Sequence, residues 1–106
     1  MAAERGAPYQ EWLRIEWKHD HPDEPVTLYV ELDANRWETR KVDVYVDGRM
    51  DFADSERRTG TTWLAEKLCP SVEEIESDPV FQVAVVPREE FERVFGKASL
   101  RHAQET

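Results

Sequence analysis

The sequence lacks most of the features that mark secreted, membrane or nucleic-acid-binding proteins. Its single cysteine, Cys69, excludes an intrachain disulfide, and its longest apolar run, residues 83–86, is far shorter than the roughly 20 residues of a membrane span. No stretch is rich in Lys and Arg, and a net charge of −9 repels phosphate backbones. Residues 1–10 carry no apolar segment of the kind found in signal peptides. We therefore expect a cytoplasmic protein that binds neither membranes nor nucleic acids.

Catalytic motifs are also missing. The chain has no Gly-x-Ser-x-Gly turn, no phosphate-binding glycine loop, no His-Glu-x-x-His and no Cys-x-x-Cys. Residues 19–24 place two histidines among carboxylates, which suits zinc, iron or manganese. Prolines and acids are equally typical of a solvated turn, and we favour that interpretation. The sequence thus predicts no metal and no cofactor, and it favours a protein that is not an enzyme without deciding the point.

Three segments alternate between apolar and polar residues, the pattern of half-buried strands. Turn-forming residues separate them, so we expect consecutive antiparallel strands, with Leu13, Val30 and Val42 among the residues directed into one core. The predicted strands span residues 11–18, 26–33 and 37–46.

The length bounds the organisation of the chain. A protein of 106 residues forms one domain, and the periodic pattern runs from residue 11 to residue 98. We predict a single domain at 11–98, a disordered lead at 1–10 and a frayed tail at 99–106, where no periodicity is left.

The hairpin at residues 42–52 has a register that its apolar residues decide. A two-residue loop would place Val44 opposite Asp51, whereas a three-residue loop ending at Gly48 places Val44 opposite Met50. Because the buried face sets the register, we predict the three-residue loop, with Gly48 in the left-handed region.

The second half of the chain predicts helices on either side of a strand. Ser71 followed by Glu74 is a capping box that starts a short helix. A strand at 80–86 comes next, and a helix at 88–98 has apolar residues at helical spacing. Residues 61–66 are a further β-prone segment. The expected class is α+β: an antiparallel meander of four to six strands with the C-terminal helix packed on one face and a short second helix.

Several strings of the sequence stand out together. They are Glu16-Trp17-Lys18-His19-Asp20, Pro22-Asp23-Glu24-Pro25-Val26, Trp37-Glu38-Thr39-Arg40-Lys41-Val42 and Asp47-Gly48-Arg49, followed by Glu73-Glu74-Ile75 and Glu89-Glu90-Phe91-Glu92. Over about residues 12–98 the chain resembles a family of small bacterial domains, mostly actinobacterial, whose function is not established. The resemblance implies one compact fold and supplies no reaction, cofactor or catalytic residue.

The residues predicted to face outward mix aromatic rings with charges. Such a mixture is typical of protein interfaces, although opposite charges on neighbouring strands also form a solvated ladder. We expect a non-enzymatic binding module, of an immunity or regulatory type, that acts on a protein partner. The net charge favours a basic partner, and a homodimer is a further option. The candidate contact residues are Trp12, Arg14, Tyr29, Glu31, Trp37, Lys41 and Tyr45.

Charges at predicted inward positions favour an alternative function. If Leu28 lies opposite Val42, Glu38 and Arg40 fall on the apolar face, where they need a partner or an opening to water. A bulge or twist that carries both to solvent would explain them without any function. The alternative is a small enzyme or small-molecule binder with a pocket between helix and sheet, and with Glu38 as a candidate base. Its candidate residues are Trp17, His19, Glu38 and Arg40.

Overall fold

The computed structural model describes residues 10–104, so the predicted disordered lead lies, apart from residue 10, outside the described residues. Within this range the chain forms a five-stranded sheet and two helices. The strands are β1 (Glu11–Trp17), β2 (Thr27–Leu32), β3 (Glu38–Val44), β4 (Met50–Ala53) and β5 (Phe81–Val86); the helices are α1 (Val72–Glu76) and α2 (Arg88–Gln104).

The sheet is antiparallel, with strand order β4-β3-β2-β1-β5. The first four strands form a meander, because each strand pairs with the next one along the chain. The chain then crosses to the far side of the sheet, where β5 pairs with β1. The C-terminal helix α2 packs on one face and the short helix α1 lies against β5. The predicted α+β class is confirmed.

One extra residue in β3 forms a bulge against β2. Leu32 lies opposite Glu38, whereas the preceding residue, Glu31, lies opposite Arg40. Thr39 therefore has no counterpart on β2. Its hydroxyl oxygen lies 2.8 Å from Glu31 Oε1 and 3.2 Å from the Glu31 carbonyl oxygen, so its one proton is shared between two acceptors of the same residue, and this contact fixes the bulge.

The bulge overturns the register predicted from the sequence. That register placed Leu28 opposite Val42, and it is wrong beyond the bulge, since Val42 lies opposite Tyr29 and Leu28 lies opposite Asp43. Successive side chains of a strand point to opposite faces, so a shift of one residue moves the apolar residues of β3 to the other side of the sheet.

The apolar side chains consequently form two cores, one on each face. The predicted single core, with Leu13, Val30 and Val42 together, is not formed. The α2 face carries Val42 and Phe52 with Phe91, Phe95 and Ala98 of α2. The opposite face, which we call the α1 face, carries Leu13, Ile15, Val30 and Leu32, packed against residues that include Val72 and Ile75 of α1.

The predicted hairpin register is confirmed. Val44 lies opposite Met50, and the Tyr45 amide donates to the Arg49 carbonyl oxygen at 2.9 Å, which leaves a loop of three residues. Gly48 has a φ of 88°, a conformation that residues with a Cβ rarely adopt.

Both helices begin where the sequence indicates. Ser71 caps α1, and Glu74 completes the capping box. The predicted end of the second helix at Ala98 is wrong, because α2 continues through part of the predicted frayed tail to Gln104. Contacts with the hairpin hold this last part: Arg101 donates to the Gly48 carbonyl oxygen at 2.8 Å. No helix in the described part of the chain is long and apolar enough to cross a membrane.

Two glycines give a matched test of this packing. A Cβ at Gly60, where φ is 56°, would overlap the Asp51 carboxylate, whereas a Cβ at Gly96 would meet nothing within 4 Å. We expect Gly60→Ala to lower the free energy of unfolding by about 1–3 kcal/mol. Gly96→Ala should raise it by about 0.5–1 kcal/mol, because alanine favours helix interiors. Urea unfolding measures both, and a neutral Gly60→Ala would contradict the close approach.

Candidate functional site

A buried carboxylate lies where α2 crosses the sheet. Glu31 on β2 is 2% exposed. It accepts hydrogen bonds from Arg40 Nη2 at 2.6 Å and Arg40 Nε at 2.8 Å, from Trp12 Nε1 at 2.9 Å and from Thr39 Oγ1 at 2.8 Å. A carboxylate so surrounded has its acceptor positions filled.

Arg40 joins this carboxylate to α2. Its Nη1 donates to Glu92 at 2.8 Å, and its guanidinium lies 5.0 Å from the ring centre of Phe91 and 4.8 Å from that of Phe95. The arginine thus contacts two anions and two aromatic faces at once, which compensates its partial burial.

Both groups of this pair stay charged at neutral pH. Burial alone raises the pKa of Glu31, but the hydrogen bonds from Arg40, Trp12 and Thr39 outweigh burial and leave that pKa below its ordinary value. The hydrogen bond to Glu31 raises the pKa of Arg40 despite burial, with Glu92 adding to the effect. The pair therefore links the sheet to α2 and is not suited to act as a catalytic acid or base.

The residues predicted as a partner-contact surface do not share one exposed face. Arg14 donates to Glu90 of α2 at 2.9 Å, and Glu31 is buried as described. Trp12 and Tyr29 pack against the core beneath α2. The expectation that these four side chains point to solvent from an open sheet is wrong, since the helix covers their face.

The remaining predicted contact residues lie elsewhere. Lys41 is on the α1 face and pairs with Glu38 at 3.2 Å. Tyr45 is 4% exposed, with the Arg49 guanidinium 4.2 Å from its ring centre. Trp37 is half-buried just before β3, and its amide donates to the Asp33 carboxylate at 3.0 Å.

The predicted pocket residues also fail to converge. The ring centres of Trp17 and His19 are 4.2 Å apart. Both rings lie at the end of β1 that is remote from Glu38. The bulge places Arg40 on the α2 face and Glu38 on the α1 face. The predicted pocket between helix and sheet is therefore not formed by these residues.

The His19 ring is bonded to the backbone of its own loop. His19 Nε2 lies 2.8 Å from the Pro25 carbonyl oxygen, and His19 Nδ1 accepts from the His21 amide at 3.0 Å. Because a carbonyl oxygen only accepts, the proton sits on Nε2, and both ring nitrogens are used. Residues 10–104 contain no group of three His, Cys, Asp or Glu side chains placed to hold a metal ion.

A row of carboxylates on the α1 face holds down the long segment between β4 and α1, residues 54–71, which we call the tethered loop. The row consists of Glu38, Asp43 and Asp51. The tethers are Thr59 to Asp51 at 2.9 Å, Thr62 to Asp43 at 2.6 Å and the Ala65 amide to Glu38 at 2.8 Å. These side-chain bonds replace strand pairing, so the predicted β-prone segment at 61–66 forms no strand.

Asp43, the middle member of the row, is incompletely satisfied. It is 8% exposed, and its Oδ1 has no hydrogen-bond partner among the described residues. Burial raises the pKa of Asp43; the Thr62 hydrogen bond and the charge of Lys41 oppose this effect, whereas the charges of Glu38 and Asp51 add to it.

A groove of about 690 Å³ opens beside the tethered loop. Ala53, Trp63 and Leu64 give it an apolar lining, and residues 54–58 line its charged side. Trp63 is 57% exposed. Along the charged side, Arg57 pairs with Asp54 at 3.0 Å, whereas Arg58 has no ion pair among the described residues.

Sequence reasoning missed this groove. It treated residues 53–60 as a plain loop and 61–66 as a strand, so Trp63 was not a candidate. The sequence did offer one indication. Trp63 and Leu64 lie in a charged segment for which no partner strand was predicted, so neither residue has an assigned place in a core.

Comparisons with known proteins give one result. A family model described as a domain of unknown function, DUF6881, matches residues 11–100. No curated protein and no solved structure matches the chain. The surface of the molecule itself therefore has to carry any functional argument.

The buried pair predicts an acid-sensitive fold. Glu31→Gln leaves Arg40 without its main counter-charge, and we expect a loss of about 2–3 kcal/mol in the free energy of unfolding at pH 7. Because the folded pKa of Glu31 is lowered, this contribution is present above its unfolded value of about 4.5 and is lost as the pH falls through the folded pKa. Urea unfolding at pH 7 and pH 3 measures the change.

The matched control is Glu92→Gln, which removes the partly exposed partner of the same arginine. It should cost less than about 1 kcal/mol, as exposed pairs do. Equal losses in the two variants would contradict a dominant buried pair.

Proposed function

Because the chain belongs to the DUF6881 family of domains of unknown function, we propose its role from its own surface: it is a non-enzymatic binding module that acts on a protein partner through the groove beside Trp63. The observation that carries the proposal is an indole 57% exposed in a groove of about 690 Å³, on a loop anchored by buried carboxylates. A large exposed aromatic ring in a concave surface is a typical contact point for a partner protein.

The anchoring of the loop supports a binding role. Thr62 and Ala65, on either side of the Trp63-Leu64 pair, are each bonded to a carboxylate of the sheet. With the loop closed, a partner would therefore meet Trp63 on a segment that is already held in place, and little ordering entropy would be lost on association. Tryptophan and arginine are also the residue types most enriched among energetically dominant interface contacts.

The titratable groups favour binding over catalysis. The charges that sequence reasoning offered for chemistry, Glu31, Glu38 and Arg40, are committed to hydrogen bonds within the fold. His19 likewise uses both ring nitrogens in its own loop. A catalytic acid or base has to reach a substrate proton, and these groups are occupied.

Charge suggests the character of the partner. A net charge of −9 attracts basic proteins at long range and disfavours association of two copies of this chain. We propose a basic protein partner, met in the cytoplasm, in a regulatory or immunity-type role. The single cysteine and the absence of a disulfide framework support that location.

A second candidate function is small-molecule binding in the same groove. Its volume of about 690 Å³ lies within the usual range for ligand sites, and Arg58 offers a cation that has no ion pair within residues 10–104. Thermal-shift screening against anionic metabolites separates the two functions, since a small ligand would stabilise the isolated protein and a partner-only groove would not.

Photo-crosslinking tests the partner proposal. With p-benzoylphenylalanine at position 63, irradiation in the source cells should give a discrete adduct, and the same group at position 100, where Leu100 is 59% exposed, should not. With the identified partner, Trp63→Ala should weaken binding about 30-fold or more, as loss of a dominant contact does, whereas Leu100→Ala should leave it unchanged. Equal labelling at both positions, or unchanged binding by Trp63→Ala, would refute the proposal.

A further inference from the structure

Outside the groove, the contact between Asp43 and Thr62 holds the tethered loop to the sheet. Asp43 Oδ2 and Thr62 Oγ1 are 2.6 Å apart, and the adjacent residue is Trp63. The other oxygen of the carboxyl, Oδ1, is buried and has no partner among the described residues. An ionised carboxylate with a single hydrogen bond in such a place is costly, because burial removes its hydration without replacing it.

The surroundings of Asp43 add to that cost. Its own strand contributes Glu38 and Lys41, and these two pair with each other at 3.2 Å. Its β4 neighbour in register is a second acid, Asp51, and its β2 neighbour, Leu28, brings no charge. From α2, His102 Nε2 approaches Asp51 at 3.2 Å. The charge of Lys41, although paired with Glu38, offsets part of this cost, and the charges of Glu38 and Asp51 add to it.

A neutral acid relieves this arrangement. When Asp43 is protonated, Thr62 Oγ1 can still donate to Oδ2, and the buried carboxyl carries no charge, so its incomplete hydrogen bonding costs less than it does for a carboxylate. We propose that Asp43 closes the tethered loop as a neutral acid, and that loss of its proton to solvent releases Thr62 and frees the segment that carries Trp63.

The direction of the pH dependence follows from this proton balance. The closed loop holds the proton more tightly than an open, hydrated Asp43 does, so closure is fully supported below the ordinary aspartate pKa of 3.8. That support is lost as the pH rises through the raised pKa of the closed form. Insofar as Trp63 is the contact point proposed above, the same proton controls the shape of the groove.

Nuclear magnetic resonance on the free protein tests the switch without any partner. The ¹³C signal of the Asp43 carboxyl and the amide signals of Thr62 and Trp63 should titrate with one common midpoint above 3.8. The Thr62 amide donates to the Thr59 carbonyl oxygen at 3.1 Å and reports on the closed loop. Its protection against hydrogen exchange, corrected for the intrinsic pH dependence, should fall about tenfold or more above that midpoint.

Two variants assign the effect. Asp43→Asn keeps a neutral group whose amide oxygen can accept from Thr62, so the loop signals should no longer titrate and the Thr62 amide should stay protected. His102→Gln replaces the histidine that approaches Asp51 with an uncharged side chain, and the titration of the loop signals should persist in it. Loop signals that ignore pH, or that still titrate in Asp43→Asn, would overturn the inference. Because no partner is involved, such a failure would leave the binding proposal to its own crosslinking test.

Discussion

The bulge at Thr39 is the local constraint on which the arrangement of the molecule depends. The Thr39 hydroxyl donates to Glu31, and the next residue, Arg40, binds the same carboxylate. One extra residue in β3 thereby sends Val42 to α2 and Lys41 to the α1 face. Without the bulge the three central strands would have one apolar face, and α2 would have to cover Arg40 together with Glu38.

Buried carboxylates serve this fold in two different ways. Glu31 is surrounded by donors, so it stays charged and joins β2, β3 and α2. Asp43 and its neighbours in the row each accept a hydrogen bond from one residue of the tethered loop, and they have fewer donors around them than Glu31 has. The first arrangement gives a rigid tie. The second holds a long irregular segment whose attachment depends on protonation.

Local features were predictable from the sequence because few residues decide them. The pairing of Val44 with Met50 and the capping box at Ser71 each follow from residues close in the chain. The bulge was not predictable in the same way, since contacts between strands and with Glu92 of α2 stabilise it. That one missed residue carried the error from the register to the proposed contact surface.

The tethered loop shows the same limit at longer range. Nothing near Thr62 or Ala65 in the sequence indicates that carboxylates on β3 will bond to them, since about 20 to 30 residues separate the partners. The loop therefore reads as a polar connection with a β-prone stretch. Only the folded sheet brings the carboxylate row under it and leaves Trp63 at the surface of a groove.

The most direct test of the divided core is the pattern of methyl contacts in solution, measured by ¹³C-edited NOE spectroscopy. This account predicts strong NOEs from the Val42 methyl groups to the rings of Phe91 and Phe95. It also predicts that the Val30 methyl groups contact the Ile75 cluster on the other face. Strong NOEs that place Val42 with Val30 and Ile75, and not with the phenylalanines, would contradict the bulge and the two-sided sheet.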